Sequence, residues 1–165
     1  MTASSVVRNF RDGQMTISDG SSTPVESNVL IDEGNISWTE TDGPLITRCR
    51  GTIIGVRPGD DEPMELSYTV KWTQLIQGTE EASDGHVLYE MINNIGDTYA
   101  TTSSGHYTLD HTFVVSDPAN GTSTDEQILF ADVYKTTLVC SEGQEYNSVE
   151  FTGGSIHTKP TITRV

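Results

Sequence analysis

Apolar and polar residues alternate along most of this chain, and a period of two is typical of β-strands with one buried face. In the clearest case, segment 64–72, apolar side chains take every second position and polar ones lie between them: Met64, Leu66, Tyr68, Val70 and Trp72 against Glu65, Ser67, Thr69 and Lys71. A segment rich in Ile, Thr and Val precedes it at 45–56, and the link 57–63 contains Pro-Gly and three successive acids. The two segments predict a long hairpin, with 57–63 as a projecting loop.

Shorter segments with the same alternation, separated by turn residues, predict further strands. They lie at 14–18, 25–31, 36–38, 109–115, 127–140, 148–152 and 156–165, the last being a strand or a tail. One segment has helical spacing instead and predicts a short helix that Gly96 ends. Its apolar stripe comprises Val87, Leu88, Met91, Ile92 and Ile95.

These elements predict a mainly β protein: a two-sheet antiparallel β-sandwich or barrel-like domain with one short flanking α-helix at about 84–95. At 165 residues the chain has room for one domain with its own core. We expect a polar N-terminal arm at 1–13 and a single domain at 14–165. Long loops are expected to project from that domain at about 57–63 and 73–83.

The acidic residues are unevenly distributed, and this narrows the possible functions. The formal net charge is −15, with seven acids and no Lys or Arg in 12–47 and ten acids and no base in 72–134. Binding to nucleic-acid phosphates depends on Lys and Arg, so this charge distribution excludes a protein that binds nucleic acid tightly. The negative charge either keeps the protein soluble or allows it to lie beside another negatively charged molecule without binding it.

Reactive groups are sparse, so we expect no enzyme, no cofactor and no metal site. Motifs for a nucleophile elbow, a zincin, a phosphate loop or a redox Cys pair are absent from the sequence. His106 and His111 are five residues apart and would point to opposite faces of a strand, which favours a buried, hydrogen-bonded His111. We expect Cys49 and Cys140 to be buried free thiols. No run of about 18 apolar residues occurs, so no membrane partner is expected.

The order of the segments resembles a known family. A polar arm leads into residues 6–20 (VVRNFRDGQMTISDG) and then 28–40 (NVLIDEGNISWTE). The long hairpin, the helix, residues 113–118 (FVVSDP) and a last β-rich stretch follow. In this order the chain is similar to the major tail tube proteins of bacteriophages with long, non-contractile tails.

The resemblance implies hexameric rings that stack into a tail tube through which the genome passes. Carboxylates along its bore would keep the duplex off the surface over a Debye length of about 8 Å. The candidates for bore-facing residues are Glu65, Ser67, Thr69, Asp132 and Glu150, and an ordinary solvated outer face is the alternative for each. The candidates for contacts between rings are Val6, Arg8, Phe10, Arg57, Asp60, Asp61 and Glu62, with mobile surface loops of a monomer as the alternative.

The implied partners are further copies of the chain, a tape-measure protein, tail terminator and distal tail proteins, and passing double-stranded DNA that is not specifically bound. The implied location is the virion tail, with synthesis in the host bacterial cytoplasm. Other roles remain open: a decoration or head–tail joining protein, an acidic β-sandwich that binds carbohydrate, or a hydrolase with dispersed carboxylates. A carbohydrate module should expose aromatic residues, whereas Trp38 and Trp72 lie on apolar strand faces.

Overall fold

Strands dominate the structure, a computed structural model that describes residues 13–29, 31–71, 88–96, 99–116, 125–145 and 147–164. The elements are β1 (Gly13–Ser18), β2 (Glu26–Val29), β3 (Ile31–Thr39), β4 (Leu45–Cys49), β5 (Thr52–Arg57), β6 (Met64–Lys71), α1 (Leu88–Asn93), β7 (Leu109–Val115), β8 (Glu126–Ser141), β9 (Ser148–Ser155) and β10 (Thr161–Arg164).

Eight of these strands form one antiparallel sheet in the order β2-β1-β7-β8-β9-β6-β3, with β10 paired to the first part of β8. The other two, β4 and β5, pair with each other in a separate small sheet. The predicted fold class is confirmed: the protein is mainly β, with antiparallel sheets and one short helix.

The core lies against one face of the large sheet, as the alternation in 64–72 predicts. Along β6 the apolar side chains are buried and the intervening ones face outward. The rings of Tyr68 and Phe151 stack with centroids 4.7 Å apart, and Trp38 meets Phe130 edge-on at 5.5 Å. Each fully buried side chain of this size contributes about 1.5–3 kcal/mol to folding. Trp38 is partly buried and packs against this core, whereas Trp72 lies outside the described residues.

The helix is confirmed in type and position. Met91 and Ile92 are buried, and the chain leaves the helix through Asn94 and Gly96, whose φ angles are 52° and 83°. The predicted place of Ile95 on the apolar stripe is wrong. Because the helix has already ended, Ile95 is 45% exposed. The predicted first helical turn, 84–87, lies outside the described residues.

The predicted pairing of 45–56 with 64–72 is also wrong. β4 instead pairs with β5 across a two-residue turn, in which Arg50 and Gly51 have φ angles of 48° and 86°. Two successive positive φ values match the twist of a tight hairpin, so the chain reverses there. β6 pairs with β3 and β9 instead.

Both cysteines are exposed, which contradicts the expectation of buried thiols. The reason lies in the elements that carry them. Cys49 ends β4, whose residues are all exposed, and Cys140 lies in the exposed second half of β8. The segments look apolar in sequence, but the described part of the chain leaves both thiols exposed.

Candidate assembly surfaces

The outer face of the large sheet collects most of the predicted bore-facing residues. On β6, Glu65 is exposed and Ser67 and Thr69 are half-buried. The register places Thr69 opposite Glu150 on β9. Paired residues share a face and side chains alternate along a strand, so these four point to the same side of the sheet. We call this surface, with Ser37 and Thr152, the polar face.

Hydroxyl groups outnumber charges on the polar face. Ser37 and Ser67 on neighbouring strands bring their Oγ atoms to 2.8 Å, and Thr152 lies opposite Ser67 on the other side. Glu65 and Glu150 supply the negative charge. Lys71, the next outward-facing residue of β6, lies on the same side, so the surface presents mainly hydroxyls, with two carboxylates and one ammonium group.

Asp132 has a different environment from the other bore-facing candidates. It sits where β8 carries an extra residue opposite β7, and its φ angle is 52°. Its backbone N–H donates to Asp110 Oδ1 at 2.9 Å, and its Oδ2 lies 2.9 Å from His157 Nε2. Next to it, Ser155 Oγ donates to the Ala131 carbonyl at 2.6 Å. The polar contacts of Asp132 thus stabilise a β-bulge.

Replacing Asp132 with valine should lower the free energy of unfolding by about 2 kcal/mol, because a β-branched residue is strained at positive φ. Asp132→Gly relieves that strain and is the matched control, with an expected change well below that of the valine variant. Urea denaturation of both variants measures the difference. Equal losses for Gly and Val would show that the carboxylate, not the backbone, stabilises the bulge.

The residues at 57–62 that are predicted to contact another ring lie at the end of β5 and in the segment after it. Arg57, Asp60, Asp61 and Glu62 are all exposed. Asp61 forms an antiparallel bridge with Asp42, and this bridge closes the base of the β4–β5 hairpin, which spans 45–57. The other inter-ring candidates, Val6, Arg8 and Phe10, and the loop 73–83 lie outside the described residues.

The β4–β5 hairpin is the surface that the sequence interpretation missed. Its five large apolar side chains are between 47% and 64% exposed: Leu45, Ile46, Ile53, Ile54 and Val56. The composition of 45–56 is visible in the sequence, but the assumed pairing with 64–72 would have covered it. The tight turn at Arg50–Gly51 divides 45–56 into two strands that pair with each other.

The register gathers four of these side chains on one side. Ile46 lies opposite Val56 and Arg48 opposite Ile53, and Ile46 and Arg48 are two residues apart on β4. The register shifts between the two pairs. Ile54 precedes Val56 by two residues, so it lies on the same side of the hairpin as Val56. We call this the apolar face of the hairpin: Ile46, Ile53, Ile54 and Val56, with Arg48 at its end.

Two buried polar clusters hold the framework behind these surfaces. The Asp19 carboxylate, 4% exposed, accepts from the backbone N–H groups of Val25 at 2.7 Å and Ala100 at 2.9 Å, and from Ser21 Oγ at 2.7 Å. Burial raises the pKa of Asp19, but these donors outweigh burial, and its pKa lies below the ordinary value. The cluster fixes the β1–β2 turn to the segment that begins at Tyr99.

His111 forms the second cluster, as expected for a buried, hydrogen-bonded histidine. Its Nε2 lies 3.0 Å from the Tyr68 hydroxyl and its Nδ1 3.4 Å from the Leu109 carbonyl. Burial lowers the pKa of His111 to about 4, and the Leu109 carbonyl offsets this only in part. The neutral ring donates from Nδ1 and accepts at Nε2, and it is only 1% exposed, so it serves packing.

Within the described part of the chain, no group of three or more His, Cys, Asp or Glu residues could hold a metal ion. The described residues also contain no helix that is long and apolar enough to cross a membrane.

Comparison with known proteins places the fold. No family model matches the chain, and no curated protein matches it. Among solved structures, it is similar to the sheath/tube terminator of an extracellular contractile injection system, PVC, in its extended state. The two chains are 11% identical, the match covers 99% of this chain and 98% of the other, and the TM-score is 0.58. It is also similar to the tube-terminating cap of the anti-feeding prophage AFP: 12% identity, 100% and 95% covered, TM-score 0.60. The chain shares the fold of these two proteins.

Proposed function

We propose that this protein is a non-enzymatic structural subunit of a phage-like tail, and that it assembles into a ring that ends the tail tube. The observation that carries the proposal is the likeness in fold to a tube terminator and a tube-terminating cap, which covers 95% or more of every chain compared. In this role the subunit contacts further copies of itself and the last ring of the tube. It belongs to the virion tail and is made in the host cytoplasm.

The sheet supports a closed ring. It is open, with β2 and β3 at its ends, and among the described residues neither strand pairs with a second neighbour. Unpaired strand edges invite uncontrolled pairing with other chains. A head-to-tail ring of copies closes on itself and can cover the edge of each copy with the next.

A second candidate is the tube subunit itself, in hexameric rings that stack around a tape-measure protein and later around passing DNA. The polar face favours the role of tube subunit. Its hydroxyls and carboxylates lie on one continuous side of the sheet, which suits a bore that must let double-stranded DNA pass without binding it. The two candidates differ in growth: a terminator stops at one ring, whereas a tube subunit keeps adding rings.

Sedimentation velocity over a wide range of protein concentration tests both candidates. The terminator role predicts one closed oligomer whose mass does not change once it has formed, and the tube role predicts a mass that rises with concentration. Assembly should strengthen from about 0.1 M to 1 M salt, because the Debye length falls from about 10 Å to 3 Å and copies of net charge −15 repel less. A single-chain mass under all these conditions would refute the proposal.

A further inference from the structure

The β4–β5 hairpin carries apolar residues that the described part of its own chain leaves exposed. Its residues are exposed, except for Gly55, which is half-buried. In the large sheet, by contrast, every strand except β10 has some buried side chains among those described. An isolated two-stranded hairpin is marginal in water. Contiguous exposed apolar side chains on a folded protein mark an interaction site more often than a monomer surface.

The charge of the hairpin indicates what covers it. From 43 to 59 the chain has three arginines, Arg48, Arg50 and Arg57, and no acid, whereas the whole chain has a net charge of −15. Two copies therefore repel each other over most of their surfaces. The hairpin is the segment where a second copy is repelled least, because it carries no acid, and burial of its apolar residues supplies the attraction.

We propose that the apolar face of the hairpin docks on a second copy of this chain and so forms the main contact between subunits, with the arginines of the hairpin beside carboxylates of that copy. The inference rests on the proposed self-assembly and names the surface through which it occurs. Ile46, Ile53, Ile54 and Val56 supply the buried centre of the contact, and Arg48 pairs with carboxylates at its border.

The base of the hairpin is built to hold a fixed direction. Asp42 and Asp61 pair across it, and Gly59 packs against the Gly43 carbonyl so closely that a Cβ at Gly59 would lie 1.8 Å from the carbonyl oxygen. Only glycine fits there without moving the backbone. A hairpin with a fixed direction loses less conformational entropy on docking than a flexible one.

Two pairs of variants of the full chain test the proposal, each with a matched control. Ile46→Ser removes a 47%-exposed isoleucine on the hairpin, and Ile95→Ser removes a 45%-exposed isoleucine beside the helix. Arg48→Glu and Lys159→Glu change the net charge equally at two exposed positions. All four side chains are outside the core, so we expect each variant to fold, which circular dichroism checks.

The hairpin variants should raise the protein concentration at half-assembly by about tenfold or more, and the controls by less than about twofold. Hydrogen exchange should show peptides from 45–57 gaining protection when the wild type assembles. Assembly of the hairpin variants at the wild-type concentration, with 45–57 still exchanging fast, would overturn the docking inference and leave the proposed function standing. A wild type that stays monomeric would overturn both. A monomer whose hairpin binds phosphatidylglycerol vesicles, with the Arg48→Glu variant not binding, would assign the hairpin to a membrane instead.

Discussion

Asp19→Ala should lower the free energy of unfolding by about 3–5 kcal/mol, the largest loss we expect from a single polar substitution. The carboxylate accepts from the Val25 and Ala100 N–H groups and from Ser21, and it is 4% exposed. Alanine leaves these three half-buried donors without their acceptor, and water replaces it only in part. Each unsatisfied buried donor costs about 1–3 kcal/mol.

Two variants separate the parts of this loss, and urea denaturation at pH 7 measures all three. Ser21→Ala removes one donor and keeps the carboxylate, so it should cost about 1 kcal/mol. Asp19→Asn keeps one acceptor oxygen and should fall between the other two. A change below about 1 kcal/mol for Asp19→Ala would mean that the turn and the segment from Tyr99 do not depend on this carboxylate.

Acidification should destabilise the protein through His111 before most carboxylates titrate. The pKa of His111 is about 4 in the folded protein against an ordinary value of 6.5, so the unfolded chain binds more protons between these values. The stabilisation by the neutral ring is present above pH 6.5 and is lost as the pH falls toward 4. The loss is about 3 kcal/mol, because one pKa unit corresponds to about 1.4 kcal/mol.

The difference in stability between pH 7 and pH 4 isolates this contribution. His111→Gln cannot gain a proton and should show a smaller difference than the wild type by about 3 kcal/mol, although its stability at pH 7 falls as well. His157→Gln is the control, because the His157 side chain is half exposed and contacts Asp132 at the surface. If His111→Gln shows the same difference in stability between pH 7 and pH 4 as the wild type, the loss on acidification does not come from His111.

The alternation of β6 was predictable because one face of that strand is committed to the core. Every second residue of this strand is buried: Met64, Leu66, Tyr68 and Val70. The residues between them must point outward, so the sequence was enough to assign Glu65, Ser67 and Thr69 to one surface. That Glu150 lies opposite Thr69 could not be derived in the same way, since strand pairing over 81 positions depends on the topology of the whole sheet.

The partners of β4 and Asp19 show why the rest escaped prediction. Apolar composition in 45–56 predicts a strand but not its neighbour, and the turn at Arg50–Gly51 lacks the Asn-Gly or Asp-Gly signal of most such turns. Asp19 reads as a turn residue, and its bond to Ala100, 81 residues away, is a tertiary contact without a local pattern. Asp132 likewise looks like an outward-facing acid until its positive φ angle reveals the bulge.

Electron microscopy of the assembled protein at high concentration and about 1 M salt tests the central claim most directly. We expect closed rings of six copies, single or stacked, with the polar face of Glu65 and Glu150 toward the bore and the hairpin of each copy on its neighbour. Particles without rotational symmetry, or dispersed single chains at every concentration, would contradict it.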